Sequence, residues 1–175
     1  NSGSGAGSGV TVNSVGGGSH TTVVTGNQIR QYNNHGVLLQ IGDNTLGGDG
    51  TLNATVTGNV IAEPGTVLIA KNGVHLNAGL VTGDNPQVCL DLGGAGALAN
   101  AITGSGSGGA AGTDFRLRQR FLTTVRLPGY AGANGDAAAV TAFEQARNGG
   151  TPTGLAQHTV PTGGGFVGGA GCPQP

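Results

Sequence analysis

The chain has 175 residues, of which 38 are glycine, 7 are proline and only 3% are aromatic, with neither Trp nor Met; this excludes a thick core built on large anchors and leaves a thin aliphatic one. Charged residues make up 9% and the net charge is −1, so there is no basic field to neutralise phosphates, and general nucleic-acid binding is excluded. Apolar runs such as Val67–Ala70 and Ala137–Val140 fall far short of the roughly 20 residues of a membrane span, and a chain opening on Asn1 without a leader reads as a portion of a longer precursor.

Residues 1–20 are a Gly/Ser tract interrupted by Val10, Val12 and Val15. They read either as a flexible linker or as a short strand at Val10-Thr11-Val12. From Thr22 the chain repeats itself. Val24-Thr25-Gly26-Asn27-Gln28-Ile29 returns as Val56-Thr57-Gly58-Asn59-Val60-Ile61, and Leu98-Ala99-Asn100-Ala101-Ile102-Thr103 is a degenerate third copy. After each of the first two copies comes a second element, Asn34-His35-Gly36-Val37-Leu38-Leu39-Gln40 and then Lys71-Asn72-Gly73-Val74-His75-Leu76-Asn77. In the first element Gly and Asn tolerate the left-handed backbone of a bend between Val and Ile. In the second, Gly-Val-x-Leu is a short strand with Val and the residue two along on one face. Asn27 and Asn59 fall on equivalent corners and are expected to stack as a ladder, while Asn53 reads as a loop residue.

Further strands are expected at Val88–Leu92, Phe115–Phe121 and Thr124–Leu127. Short strands separated by Asn/Gly corners, with no tight hairpin between them, describe coils that stack on the preceding coil. One helix follows: Asp136 caps Ala137–Arg147, Asn148-Gly149-Gly150 supplies a left-handed stop, and Ala139, Val140, Phe143 and Ala146 form the apolar stripe. It serves either as an end cap or as a helix packed along a lateral face.

The repeats resemble those of right-handed parallel β-helix proteins of the pectin-lyase-like architecture. The later stretches HLNAG, VCLDLGG, TDFRLRQRF, TTVRLPGY and GCPQP resemble the C-terminal portions of large secreted bacterial β-helix repeat proteins. The resemblance implies an all-β fold, a right-handed parallel β-helix (solenoid) of about five short coils with one C-terminal α-helix. The expected divisions are a Gly/Ser-rich segment or added strand over 1–20, the β-helix over 21–130, a capping or flanking helix over 131–150, and a Gly-rich tail over 151–175. In a chain of secreted type, the even pair Cys89 and Cys172 fits a disulfide that tethers this tail.

The candidate sites are sparse. His20, His35, His75 and His158 read as surface histidines without partners, His35 and His75 lying at shifted positions of the repeat. Acidic residues are scattered singly, so neither the paired aspartates of a polygalacturonase-like hydrolase nor the calcium cluster of a pectate-lyase-like enzyme is assembled, and Gly/Ser matches to a nucleophile elbow arise from composition alone. A calcium loop at Asp43 and Asp49 is the single candidate for a cofactor; calcium takes six to eight oxygens and only two carboxylates are local. Alternation in Phe115–Phe121 puts Arg116, Arg118 and Arg120 on one face, with Phe115, Leu117 and Phe121 on the other. That stripe suits an anionic polysaccharide or an acidic neighbour, or else is a solvated face that deters edge pairing.

The expected function is a non-catalytic extracellular structural module, part of a surface or secreted fibre, stalk or adhesin, its expected partner a second copy joined head to tail. The alternative is a carbohydrate-active enzyme or polysaccharide-binding module. The expected location is extracellular or on a bacterial cell surface, with no nucleic-acid partner and no membrane span.

Overall fold

A computed structural model of the chain describes residues 7–43, 49–66, 71–106, 112–159 and 164–175. It consists of strands β1 (Val10–Val15), β2 (Gly18–Thr25), β3 (Gln28–Ile29), β4 (His35–Gly42), β5 (Gly50–Thr57), β6 (Val60–Ile61), β7 (Asn72–Ala78), β8 (Gln87–Leu92), β9 (Ala101–Ile102), β10 (Phe115–Arg120), β11 (Thr124–Pro128), β12 (Gly154–Thr159) and β13 (Gly165–Gly169), with one α-helix, α1 (Ala137–Arg147), between β11 and β12. The strands form three sheets: sheet A in the order β1-β4-β7-β10-β12, sheet B in the order β2-β5-β8-β11-β13, and sheet C in the order β3-β6-β9. All the strand pairings are parallel. From β1 to β9 successive strands visit A, B and C in rotation, and β10 to β13 alternate between A and B.

The register makes aliphatic columns. In sheet A, Val12 pairs with Leu39, Leu39 with Leu76, Leu76 with Leu117 and Leu117 with Ala156. Sheet C contributes Ile29, Ile61 and Ile102, and sheet B the columns Leu52–Val88–Val125–Phe166 and Val24–Val56–Leu92. From Leu39 to Leu117 these side chains are fully buried. Small aliphatics suffice because each column is only one side chain wide, which is how a chain so poor in aromatics buries a core.

The repeat glycines have two separate causes. Gly26 and Gly58 turn the corner at φ +66° and +64°, where a Cβ would strain the backbone. Gly36 and Gly73 are needed for space: a Cβ on Gly36 would lie 2.5 Å from both the Gly73 carbonyl oxygen and Ile61 Cγ2, and one on Gly73 would lie 2.3 Å from Ile102 Cγ2.

Four expectations are corrected. Phe121 is not part of the alternating strand: β10 ends at Arg120, Phe121 turns at φ 55°, and the inward position is taken by Gln119, fully buried. Its amide donates to the Thr123 and Phe121 carbonyl oxygens at 2.8 and 3.2 Å, satisfying the backbone of that turn. Asn53 lies in β5, buried, and donates to Thr21 Oγ1 at 3.5 Å. On α1 the buried residues are Val140 and Glu144, while Ala146 is exposed. The helix is capped by Asp136, whose Oδ1 accepts from the Ala139 N–H at 2.9 Å, but Asn148 follows it in extended backbone, with φ −120° and ψ 148°, and the left-handed turn falls on Gly150, at φ +80°.

The helix covers the free edge of sheet A: the Ala156 N–H of β12 donates to Thr141 Oγ1 at 3.0 Å, satisfying a donor that has no further strand to meet. Strands also extend on both sides of 21–130. β1 and the start of β2 lie within the Gly/Ser tract, and β12 and β13 within the Gly-rich tail. After β13 the chain doubles back over the outside of sheet B. Cys172 is bonded to Cys89 of β8, with a Cα–Cα distance of 5.5 Å, and Gln174 donates to Thr55 Oγ1 of β5 at 2.8 Å.

Candidate functional site

Two polar constructions dominate the molecule, a buried asparagine ladder and the outer face of sheet A. The ladder has more rungs than the expected pair. Asn27 Nδ2 donates to Asn59 Oδ1 at 3.1 Å, Asn59 Nδ2 to Asn100 Oδ1 at 2.9 Å, and Asn100 Nδ2 to Asn148 Oδ1 at 2.8 Å. Each acceptor oxygen also receives the backbone N–H of the previous rung, at 3.0, 3.0 and 3.3 Å. Asn148 closes the series by donating to the Glu144 carbonyl oxygen at 2.8 Å.

On sheet A, outward positions of adjacent strands align. Asn13, Gln40, Asn77 and Arg118 form one row in register, and Leu38, His75, Arg116 and Leu155 another. Amides link the first row: Gln40 donates to Asn13 Oδ1 at 3.3 Å and Asn77 to Gln40 Oε1 at 3.3 Å. Arg120 donates to Asn77 Oδ1 at 3.0 Å, and Arg116 donates twice to Gln157 Oε1, at 2.9 and 2.7 Å. Arg116, Arg118 and Arg120 are half-buried on this face. The described residues include every charged residue of the chain, and the ion pairs they form are Arg30–Glu63 and Arg147–Asp91, with Arg147 Nε also 3.9 Å from the buried Glu144 Oε2. The three arginines therefore face outward without a carboxylate in ion-pair contact. Burial, and then the charge of Arg118, lowers the Arg116 and Arg120 pKa values, with the charge of Asp84 opposing the shift at Arg120.

Beneath this row lies a pair of histidines, and here the expected partnerless surface histidines are corrected. His35 and His75 are each 8% exposed; His75 Nδ1 lies 3.1 Å from His35 Nε2, and His35 Nδ1 lies 3.1 Å from Asn72 Nδ2. The network assigns the tautomers. Asn72 Oδ1 accepts from the Thr113 N–H at 3.1 Å and faces the Thr113 hydroxyl, so its Nδ2 must donate to His35 Nδ1. His35 then carries its proton on Nε2 and gives it to His75 Nδ1, leaving the His75 proton on Nε2. That Nε2 is buried without an acceptor, as is Nε of Arg120; a buried donor left unpaired costs about 1–3 kcal/mol. Burial pushes His35 down to about 4 and His75 to about 3; the charge of Arg116 adds to both, and His35, Arg118 and Arg120 add to His75. Both rings are neutral at physiological pH.

The sequence pointed to the arginine stripe through its alternation, but not to His75, Asn77 and Gln157. For His75 and Asn77 the signal lies in the second repeat element, where aligning Gly36-Val37 with Gly73-Val74 puts His75 opposite Leu38 and Asn77 opposite Gln40; Gln157 lies outside both copies.

The other acidic side chains serve local structure. Asp84 Oδ2 accepts from the backbone N–H groups of Asp43, Leu80 and Val81 at 2.9, 2.5 and 3.0 Å. Asp49 Oδ1 accepts from the Asn85 N–H at 2.7 Å. Residues 44–48 of the candidate calcium loop lie outside the described residues, and among the described residues no group of three or more His, Cys, Asp or Glu is placed to hold a metal. Asp114 accepts from the Ser105 and Thr153 N–H groups at 3.1 and 2.8 Å. Among the described residues no helix is long and apolar enough to cross a membrane.

No family model matches the chain, and neither a curated protein nor a solved structure matches it.

Proposed function

We propose that the chain is a right-handed parallel β-helix of about five short coils acting as a non-catalytic structural module of a secreted or cell-surface protein, in a fibre, stalk or adhesin of the kind its repeats resemble. The observation that carries this reading is the four-rung asparagine ladder running beside unbroken aliphatic columns. A module whose buried polar groups are spent on holding one coil to the next is built for extension and rigidity. The disulfide between Cys89 and Cys172 suits an oxidising compartment. Asp84, Asp114 and Asp136 are committed to backbone N–H groups, which supports a scaffold rather than a hydrolase or lyase. Head-to-tail self-association belongs to the same proposal: β1, β2 and β3 each end a sheet, and in the isolated chain their edges accept a strand from a second copy more readily than β12, which α1 covers.

The test is incubation with polygalacturonate and other uronic-acid polymers, with and without calcium. The scaffold reading expects no unsaturated or reducing ends, and their release in proportion to protein would overturn it. A second reading, a polysaccharide-binding module, is favoured by one observation: three arginines on one face of sheet A with no carboxylate paired to them.

A further inference from the structure

We propose that the outer face of sheet A is a binding surface for a linear acidic polysaccharide, with Arg116, Arg118 and Arg120 taking its carboxylate or sulfate groups and the amides of Asn77 and Gln157 taking its hydroxyls. The proposal deepens the polysaccharide-binding reading and rests on it. The chain has one more acid than base, 8 against 7, so carboxylates were not lacking. They pair with Arg30 and Arg147 or accept from backbone N–H groups, and the one that acts on this row, Asp84 on Arg120, is buried and makes no ion-pair contact with it.

The face is a surface of donors. Arg118 has no hydrogen-bond partner among the described residues, and the hydrogen bonds of Arg116 and Arg120 go to the neutral amide oxygens of Gln157 and Asn77, so three half-buried guanidinium groups keep their charge uncompensated on the face, while Arg120 Nε and the His75 Nε2–H lie unpaired but buried beneath it. A surface that presents N–H groups and positive charge, and no free carboxylate, is complementary to an anion rather than to a neutral sugar or a cation. The flanking amides keep some capacity for sugar hydroxyls: Gln157 has spent its oxygen on Arg116 but not its Nε2 donors, and Asn77 has spent one donor and one lone pair. Outward arginines two residues apart on β10 are about 7 Å apart along the strand, so the row meets successive groups of an extended polymer. With no aromatic side chain to stack a sugar ring in the two rows described, attraction is chiefly electrostatic and weakens as salt is added.

The test is electrophoresis of the folded full chain in native gels containing polygalacturonate, dextran sulfate, neutral dextran or poly-glutamate, at low and at high ionic strength. Retardation by polygalacturonate, dextran sulfate or both, absent with dextran and lost at high salt, is expected; whichever polymer retards the chain names the anionic group. Arg118→Gln should weaken binding about tenfold, and Arg118→Gln with Arg120→Gln should abolish it. Arg126→Gln removes the same charge from the outer face of sheet B and should bind as the parent does. Absence of retardation by either acidic polysaccharide, equal loss in Arg126→Gln, or retardation by poly-glutamate alone would overturn the proposal. Absence of retardation in a chain of unchanged circular dichroism also removes the polysaccharide-binding reading and leaves the scaffold standing, whereas retardation lost equally in Arg126→Gln removes only this surface.

Discussion

Asn100 donates from Nδ2 to Asn148 Oδ1 at 2.8 Å across 48 residues, so the asparagine ladder keeps its spacing although an entire helix is inserted between these two rungs. The earlier rungs are separated by 32 and 41 residues. Coil length therefore varies freely, and the corner is what is held constant. The insertion projects outward as α1, and Gly149 returns to bridge Ala101 in parallel.

The inner rungs should matter more than the outer one. Asn100 is fully buried, donates to the Val56 carbonyl oxygen at 2.8 Å and bonds to the rungs on both sides. Asn100→Ala leaves several buried partners unpaired and should cost about 3 kcal/mol, read as a fall in the urea midpoint at unchanged slope. Asn27 is exposed, and Asn27→Ala should cost less than about 1 kcal/mol. Equal losses would contradict a cooperative ladder.

Stability should pass through a maximum on the acid side of neutrality. His35 and His75, lowered by burial from 6.5 to about 4 and 3, take up protons in the unfolded chain that the folded one refuses, so stability falls as pH drops below about 6.5. Glu144, with neither oxygen hydrogen-bonded, is raised from 4.5 to about 8 by burial, with Arg147 opposing and Asp91 adding to the rise. It keeps its proton when folded and loses it when unfolded, so its contribution falls as pH rises from about 4.5 towards 8; the two histidines outweigh it below about 6.5, and the net fall shows above that pH. Urea midpoints from pH 4 to 9 should show both slopes, and Glu144→Gln should flatten the alkaline one. An alkaline slope unchanged in Glu144→Gln, or a His75 ring proton titrating near 6.5 by NMR, would contradict these assignments.

The Cys89–Cys172 bond closes a loop of 83 residues, and replacing both cysteines with serine should lower stability by about 4.5 kcal/mol in the chain-entropy model. The tail should then leave sheet B, and proteolysis should cut near Ala170-Gly171 in the variant but not in the parent. A variant as stable and as resistant as the parent would mean that the tail contributes nothing to the stack.

Much of this arrangement was legible in the sequence where the repeat is regular. Aligning the two Val-Thr-Gly-Asn-x-Ile elements gives the register of Val24 on Val56 and Ile29 on Ile61 found between β2 and β5 and between β3 and β6, because each residue type answers to its own steric demand at the corner. The rung at Asn148 was not legible, since the inserted helix removes its flanking Val-Thr-Gly. The inward Gln119 was hidden by composition: Phe121 is the more apolar residue, but the chain turns before it, and only the amide can serve the carbonyls of that turn. The histidine pair was missed because their rings meet across strands from positions three residues out of register.

The β-helix proposed here requires each round of chain to lie on the last in parallel register, which pulsed dipolar spectroscopy reads between spin labels on outward-facing cysteines. The native pair forms a disulfide and leaves no free cysteine, so labels attach only where they are introduced. Asn13→Cys paired with Gln157→Cys spans the four strand intervals of sheet A, and Thr21→Cys paired with Val167→Cys spans the four of sheet B, each pair lying on one row of the register. At about 4.8 Å per interval, both pairs should give backbone separations of about 19 Å, lengthened only by the label arms. Separations that differ widely between the two sheets, or a broad distribution in either, would contradict the stack.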